Sequence, residues 1–281
     1  MKASVVSLPA GKVNLDRYFI DTDNDFYAVM DGTSAGGEFS GLFVEWLAEL
    51  IQRRLAQFSD VPHSVQDTSE LFEKLVRDAS TQLPERVSDY YGGRLNPYAH
   101  GVGSTLTLVH YVDSNWVIVN SGDSEALLVR DGKASVVTYR DTEFNSWIED
   151  GLIEVVDGQI QFEEEDGLIK YKGLEADIRV VWSAMKRMIR WIGNGAVPHF
   201  HAEPAKPGDM LILWTDGAEH LAHWHARGKL RWDEGKVAQA ASAVAHREAE
   251  HFLAALPSFW DDYDSDRRLW DDATALVVYE G

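Results

Sequence analysis

The sequence contains no cysteine. A disulfide, a thiolate zinc site and a cysteine nucleophile are therefore all excluded. Long apolar runs are missing as well, and no stretch approaches the roughly 18 consecutive apolar residues of a membrane span. The opening residues, Met1-Lys2-Ala3-Ser4-Val5-Val6-Ser7-Leu8-Pro9, carry no extended hydrophobic segment and do not read as a signal peptide. Positive charge is scarce: 26 Lys and Arg stand against 46 Asp and Glu, for a net charge of −20. Such a surface repels polyanions, so neither nucleic acid nor an anionic membrane is an expected partner. The expectation is a soluble, cytoplasmic protein without internal repeats.

Material for a core is plentiful. Of the 281 residues 45% are hydrophobic and 11% aromatic, which suits one large domain and argues against disorder. Arg17–Ile20 and Phe26–Met30 read as strands around an Asp- and Asn-rich loop. A helix is expected from about Ser40 to Phe58, where Phe43, Leu47, Leu50, Ile51, Leu55 and Phe58 recur at the helical period. A second helix is expected to start near Asp67, with Glu70 completing a capping box. Ser104–Val112, Trp116–Asn120, Ala126–Arg130 and Ala134–Thr138 then read as an antiparallel meander, with a hairpin at Asp131-Gly132. Residues 140–190 fit neither regime and read as an acidic, flap-like insertion. A helix over Lys236–Leu256 and a central strand over Thr274–Tyr279 close the chain. Runs of strands segregated from runs of helices imply an α+β layered fold, in a single domain over 1–281.

Four stretches place an aspartate beside a glycine or a second aspartate at the edge of an apolar run: 26–33, 120–124, 211–217 and 270–278. A buried strand that ends in a carboxylate delivers its charge to the rim of a sheet. There the oxygens can meet a hard cation such as Mg²⁺ or Mn²⁺. Each piece alone also reads as an ordinary turn, and Asp123 reads best as a residue hydrogen-bonded within its own turn.

Asp31-Gly32, Gly103-Ser104-Thr105, Ser121-Gly122-Asp123-Ser124, Arg190-Trp191-Ile192-Gly193, Thr215-Asp216-Gly217 and Asp271-Asp272-Ala273-Thr274 follow one another in this order. Their order and spacing resemble the metal-dependent serine/threonine protein phosphatases, the PPM or type 2C family, over nearly the whole chain. The resemblance implies a four-layer sandwich, two central antiparallel β-sheets flanked by α-helices. It implies two ions, Mn²⁺ or Mg²⁺, with Asp31 bridging both, the Gly32 carbonyl on one, and Asp216 and Asp271 on the other. It further implies that no side chain is the nucleophile, and that a metal-bridging hydroxide attacks phosphoserine or phosphothreonine on a protein substrate. A cognate Ser/Thr kinase would supply that substrate. The charges agree with this reading, since three carboxylates gathered at one place repel one another unless cations neutralise them.

The chain also departs from the family pattern. In Asn14-Leu15-Asp16, Leu15 stands where a glutamate is usual, while Asp16 remains to hold a water behind the metal ligands. Gly11 stands in place of a phosphate-gripping arginine, and Lys12 offers a looser contact with phosphate. Thr33 replaces the histidine of many eukaryotic members, Glu125 reverses a usual arginine, and His100 argues against a third metal. The insertion lacks an Asp-His pair. These changes motivate an alternative, a pseudophosphatase that binds phosphoproteins as a regulatory module; a third reading is a phosphatase of small metabolites. Two other motifs are set aside. His220, His223 and His225 lack a carboxylate not already claimed, so they do not read as a zinc site. Asp262, Asp264 and Asp266 begin like a calcium loop, but Arg267 and Ala273 occupy its glycine and glutamate positions. Trp182 and Trp191 flank Lys186, Arg187 and Arg190 in a cationic patch that could touch a substrate.

Overall fold

Strict alternation of side chains puts Phe26, Ala28 and Met30 on one face of a strand and Tyr27 and Val29 on the other, and all of them are buried. A strand buried on both faces needs a layer on each side, and this requirement sets the architecture. The computed structural model describes residues 1–9, 13–57, 62–151, 188–218 and 272–280 in full, together with the backbone of short strands between 154 and 177 and between 224 and 231.

In chain order the elements begin with β1 (Lys2–Leu8), β2 (Arg17–Asp21), β3 (Phe26–Met30), α1 (Glu38–Gln57) and α2 (Val65–Tyr90). There follow β4 (Leu106–Val112), β5 (Asn115–Ser121), β6 (Glu125–Arg130), β7 (Lys133–Val136) and α3 (Glu143–Glu149). Next come β8 (Glu154–Val156), β9 (Gln159–Gln161), β10 (Glu163–Glu165), β11 (Leu168–Tyr171) and β12 (Leu174–Asp177). The last are β13 (His199–Pro204), β14 (Met210–Trp214), β15 (Trp224–Ala226), β16 (Lys229–Arg231) and β17 (Ala273–Tyr279). Two five-stranded sheets carry the fold, in the orders β1-β17-β14-β6-β7 and β13-β5-β4-β3-β2. Every pairing within them is antiparallel. β8 to β12 form separate small sheets of two and three strands, so the described strands of the 140–190 region do not join the ladders of the main pair.

Tyr27, Val29, Val109, Trp116 and Ile118 of one sheet pack on Ala126, Leu128, Leu211, Leu213, Leu276 and Val278 of the other. Phe26, Ala28, Met30, Leu106, Leu108, Val117 and Val119 face the helical layer, where Phe43, Leu47, Ile51, Phe72, Leu75 and Val76 of α1 and α2 meet them. The result is helices on sheet on sheet, the expected α+β layering. The expected helix over 236–256 lies outside the described residues. No helix among the described residues is long and apolar enough to cross a membrane.

Local expectations fare unevenly. α1 and the β2–β3 hairpin fall where the periodicity puts them, and Asp131 and Gly132 both take left-handed φ, 52° and 74°, in the β6–β7 turn. α2 starts earlier than Asp67 because Ser64 is its N-cap, with the Ser64 hydroxyl accepting the Asp67 N–H at 3.1 Å. The meander over 104–138 is corrected: β4 pairs with β5 and β6 with β7, but β5 and β6 lie in different sheets. The Gly122-Asp123-Ser124 turn carries the chain across the sandwich, and propensity cannot distinguish such a crossing from a hairpin.

One buried group makes stability depend on acid. His110, only 2% exposed, stacks on Phe26 with ring centroids 3.9 Å apart, and its Nδ1 lies 2.9 Å from the Thr68 hydroxyl. Burial lowers its pKa to about 4, against the opposing pull of Asp25 and a backbone contact with Asn24. The unfolded chain therefore binds a proton near pH 6.5 that the folded chain refuses, so folding stability falls as pH drops from about 6.5 to 4. Replacing His110 by Gln should remove about 2 kcal/mol of the stability lost between pH 7 and 4.5. Urea denaturation at both pH values checks this; an unchanged acid loss contradicts the assignment.

Candidate metal centre

Three acidic residues meet at one end of the sandwich. β3 runs out at Met30 and hands the chain to Asp31 and Gly32; β14 runs out at Trp214 and hands it to Thr215 and Asp216. Asp16 precedes β2. The antiparallel order places these ends together: β17 begins at Ala273 beside the end of β14, and the Thr215 N–H donates to the Thr274 carbonyl at 3.0 Å.

Asp16 is the buried member of the group, 1% exposed. Its Oδ2 accepts the Thr215 hydroxyl at 2.8 Å, across 199 residues of sequence. Thr215 is fixed in turn, because its Oγ1 accepts the Thr274 N–H at 3.0 Å. Asp16 Oδ1 is shielded from solvent and makes no hydrogen bond of normal geometry. Burial raises the Asp16 pKa to about 7. Hydrogen bonding from Thr274, Thr215 and the neighbouring Asp31 carboxyl opposes the rise, and the negative charge of Asp216 adds to it. The Asp16 carboxyl thus feels both the Asp31 carboxyl and the charge of Asp216.

The backbone of Asp31 is held from one side. Its N–H donates to Thr105 Oγ1 at 3.0 Å, and its carbonyl accepts the Thr105 N–H at 2.8 Å. Gly32 forms a single antiparallel bridge to Ser104, Ser104 forms another to Ile192, and the Gly32 N–H donates to the Leu15 carbonyl at 3.3 Å. Gly103 must be glycine for space: a Cβ there would come within 2.2 Å of the Trp191 ring. The Gly-Ser-Thr and Arg-Trp-Ile-Gly motifs therefore build the shelf under Asp31. Trp191 belongs to that shelf, and the Arg190 guanidinium lies 3.4 Å from Asp141. Lys186, Arg187 and Trp182 of the expected patch lie outside the described residues.

The family departures acquire local reasons. The Leu15 side chain packs toward Gly32 and Gly41, on the apolar side, while its N–H donates to Asp272 Oδ2 at 2.5 Å. Thr33 Oγ1 donates to the Gly101 carbonyl at 2.5 Å and lies 2.8 Å from the Ser40 hydroxyl, so this hydroxyl is engaged in the fold. Glu125 opens β6, accepts the Trp214 indole N–H at 3.1 Å and lies 3.9 Å from Arg140 Nε. The reversed charge is thus neutralised within the same end of the sheet.

Asp31, Gly32, Asp216 and Asp16 are therefore gathered at one rim, while Asp271 and Lys12 lie outside the described residues. Among the described residues, which leave out Asp271, no group of three or more His, Cys, Asp or Glu is placed to hold a metal ion. The donors present are nevertheless all oxygens, the kind a hard divalent cation takes, and the buried Asp16 Oδ1 makes no hydrogen bond of normal geometry. Thr105 and Thr215, which fix the geometry, escaped the sequence reading. Their only signal was a hydroxyl residue inside the same motifs as the aspartates.

No family model matches the chain, and no curated protein matches it. Solved structures do. The chain is similar to the Mycobacterium tuberculosis serine/threonine phosphatase PstP/Ppp, at 19% identity and a TM-score of 0.66 over 100% of this chain and 99% of that one. It is similar to the catalytic domain of a serine/threonine protein phosphatase PstP in complex with two manganese ions, at 18% identity and 0.63 over 98% and 96%. It is also similar to PppA, a key regulatory component of T6SS in Pseudomonas aeruginosa, at 16% identity and 0.65 over 99% and 96%. The fold is that of the PPM-type serine/threonine phosphatases.

Asp16 yields a measurable consequence. Its folded pKa lies above the unfolded value of 3.8, so its contribution is fully favourable below about pH 4 and is lost as pH rises through about 7. Without divalent ions, Asp16→Asn should flatten the fall in stability over that window and melt several degrees higher than the parent at pH 8, roughly 2–4 °C. Stabilisation of the variant by Mn²⁺ should shrink. Thermal melts from pH 4 to 8 with and without Mn²⁺ check both effects, and a parental pH slope in the variant contradicts them.

Proposed function

We propose that the chain is a metal-dependent protein phosphatase that hydrolyses phosphoserine or phosphothreonine with two Mn²⁺ or Mg²⁺ ions. The observation that supports this reading is the interaction of Asp16 with both Asp31 and Asp216 at one rim of a fold shared with such phosphatases. Asp31, the Gly32 carbonyl, Asp216 and Asp271 are the residues that would hold the ions, and Lys12 would meet the phosphate. Two such ions, when bound, supply an acidified water and positive charge for the phosphoryl oxygens.

The chain's own residues do the rest. Thr105 holds the Asp31 backbone in place, and Thr215 orients the Asp16 carboxyl. Asp16, ionised once cations stand nearby, is placed to hold a water behind the ligands. No cysteine exists for a thiol route, and the Thr33 hydroxyl is committed to Gly101 and Ser40.

A second reading has its own observation. Leu15 turns toward Gly41 and leaves no carboxylate where the family has a glutamate, which favours a pseudophosphatase that binds phosphoproteins without turnover. Tight Mn²⁺ binding without hydrolysis of any phosphopeptide would support it.

For the phosphatase reading, Asp31→Asn and Asp216→Asn should each lower p-nitrophenyl phosphate hydrolysis by more than about 100-fold at saturating Mn²⁺. The circular dichroism spectrum should not change. Wild-type turnover in either variant would refute the site.

A further inference from the structure

The Asp141 carboxylate is completely buried, at 0% side-chain exposure. Its Oδ2 accepts the Gly122 N–H at 3.0 Å. Its Oδ1 accepts the His199 Nε2–H at 3.0 Å and lies 3.4 Å from Arg190 Nη1. The Asp141 backbone is tied on both sides as well. Its N–H donates to the Gly122 carbonyl at 2.9 Å, and its carbonyl accepts the Ile189 N–H at 2.8 Å. Thr142 and Met188 form an antiparallel bridge, so the chain leaves and returns at this one point. A buried carboxylate with this many donors locks several segments into one arrangement.

What Asp141 locks leads to the metal centre. Gly122 has φ +99°, and a Cβ on it would meet the Thr105 side chain at 2.8 Å and Met188 Sδ at 3.1 Å. Thr105 is the residue whose N–H and hydroxyl hold both sides of the Asp31 peptide, and its Oγ1 lies 2.6 Å from the Ser124 hydroxyl. The contacts run from Asp141 to Gly122, from Gly122 to Thr105, and from Thr105 to Asp31. We propose that Asp141 is a positioning residue: its buried carboxylate seats the Gly122 turn against Thr105 and so fixes the orientation in which Asp31 is presented. The group beside the Thr142–Met188 bridge and the support of Asp31 are then the same. The inference rests on the reading of Asp31 as a ligand, and on no particular reaction.

The experiment uses the full chain without metal, with amide hydrogen exchange read at single residues. Asp141→Ala should speed exchange of the Asp31 and Thr105 amides by about 10-fold and weaken Mn²⁺ binding in calorimetry by about 10-fold. Asp141→Asn, whose amide oxygen can still accept the Gly122 N–H, should fall between Ala and the parent; it serves as the test if the Ala variant fails to fold. Arg130→Gln, which breaks the ion pairs with Asp209 and Glu203 at the opposite end of β6, should lower stability without touching either readout. Exchange at Asp31 and Thr105 at the parental rate, with acceleration confined to Gly122 and 188–199, would overturn the proposal. Should the parent chain bind no Mn²⁺, the metal reading fails, and the exchange rates alone decide for or against Asp141.

Discussion

Carboxylates repel, and a protein that buries one beside two others must either protonate it or bring in positive charge. Asp16, Asp31 and Asp216 impose that constraint on this fold. Without cations Asp16 answers by protonation: burial is the main cause that lifts its pKa to about 7, and the negative charge of Asp216 adds to it. In the proposed phosphatase, cations would take the place of that proton. The rim of the sandwich is thus a place where local stability has been given up for affinity, and the surrounding structure can be understood as what makes that tolerable.

The two sheets supply the tolerance. Their inner faces, from Tyr27 and Trp116 to Leu213 and Leu276, are closed and apolar, so the strand ends cannot relax apart without exposing core. Each acidic strand end is clamped by a threonine: Thr105 on the peptide of Asp31 and Thr215 on the carboxyl of Asp16. These neutral hydroxyls fix the Asp31 backbone and the Asp16 carboxyl without cancelling charge, whereas an arginine in the same places would. The nearby cations are spent elsewhere, Arg140 near Glu125 and Arg190 near Asp141.

Much of this was legible in the residues. α1, the β2–β3 hairpin and the closing strand β17 follow from periodicity and turn chemistry, because those signals are local. Asp31 and Asp216 were legible because each follows a buried run, and the order of the motifs tied them together. Other features depended on contacts between distant segments. The crossing at Gly122 looks like a hairpin in sequence, and β1 pairs only with the far C-terminal strand, so nothing near it announces it. Thr105 and Thr215 are ordinary residues until the fold places them, and Asp141 looked like part of an acidic insertion. Leu15 was noticed as a departure, but its turn toward Gly41 needed the packing of α1 to be seen.

The central claim is that this rim holds a pair of hard ions between residues far apart in the chain. Crystals soaked in Mn²⁺ and measured at a wavelength where manganese scatters anomalously test it directly. The account predicts two anomalous peaks a few ångströms apart, roughly 3.5–4 Å, each within about 2.2 Å of a carboxylate oxygen of Asp31 or Asp216. Peaks confined to other surfaces, or none at this rim at saturating Mn²⁺, would contradict it.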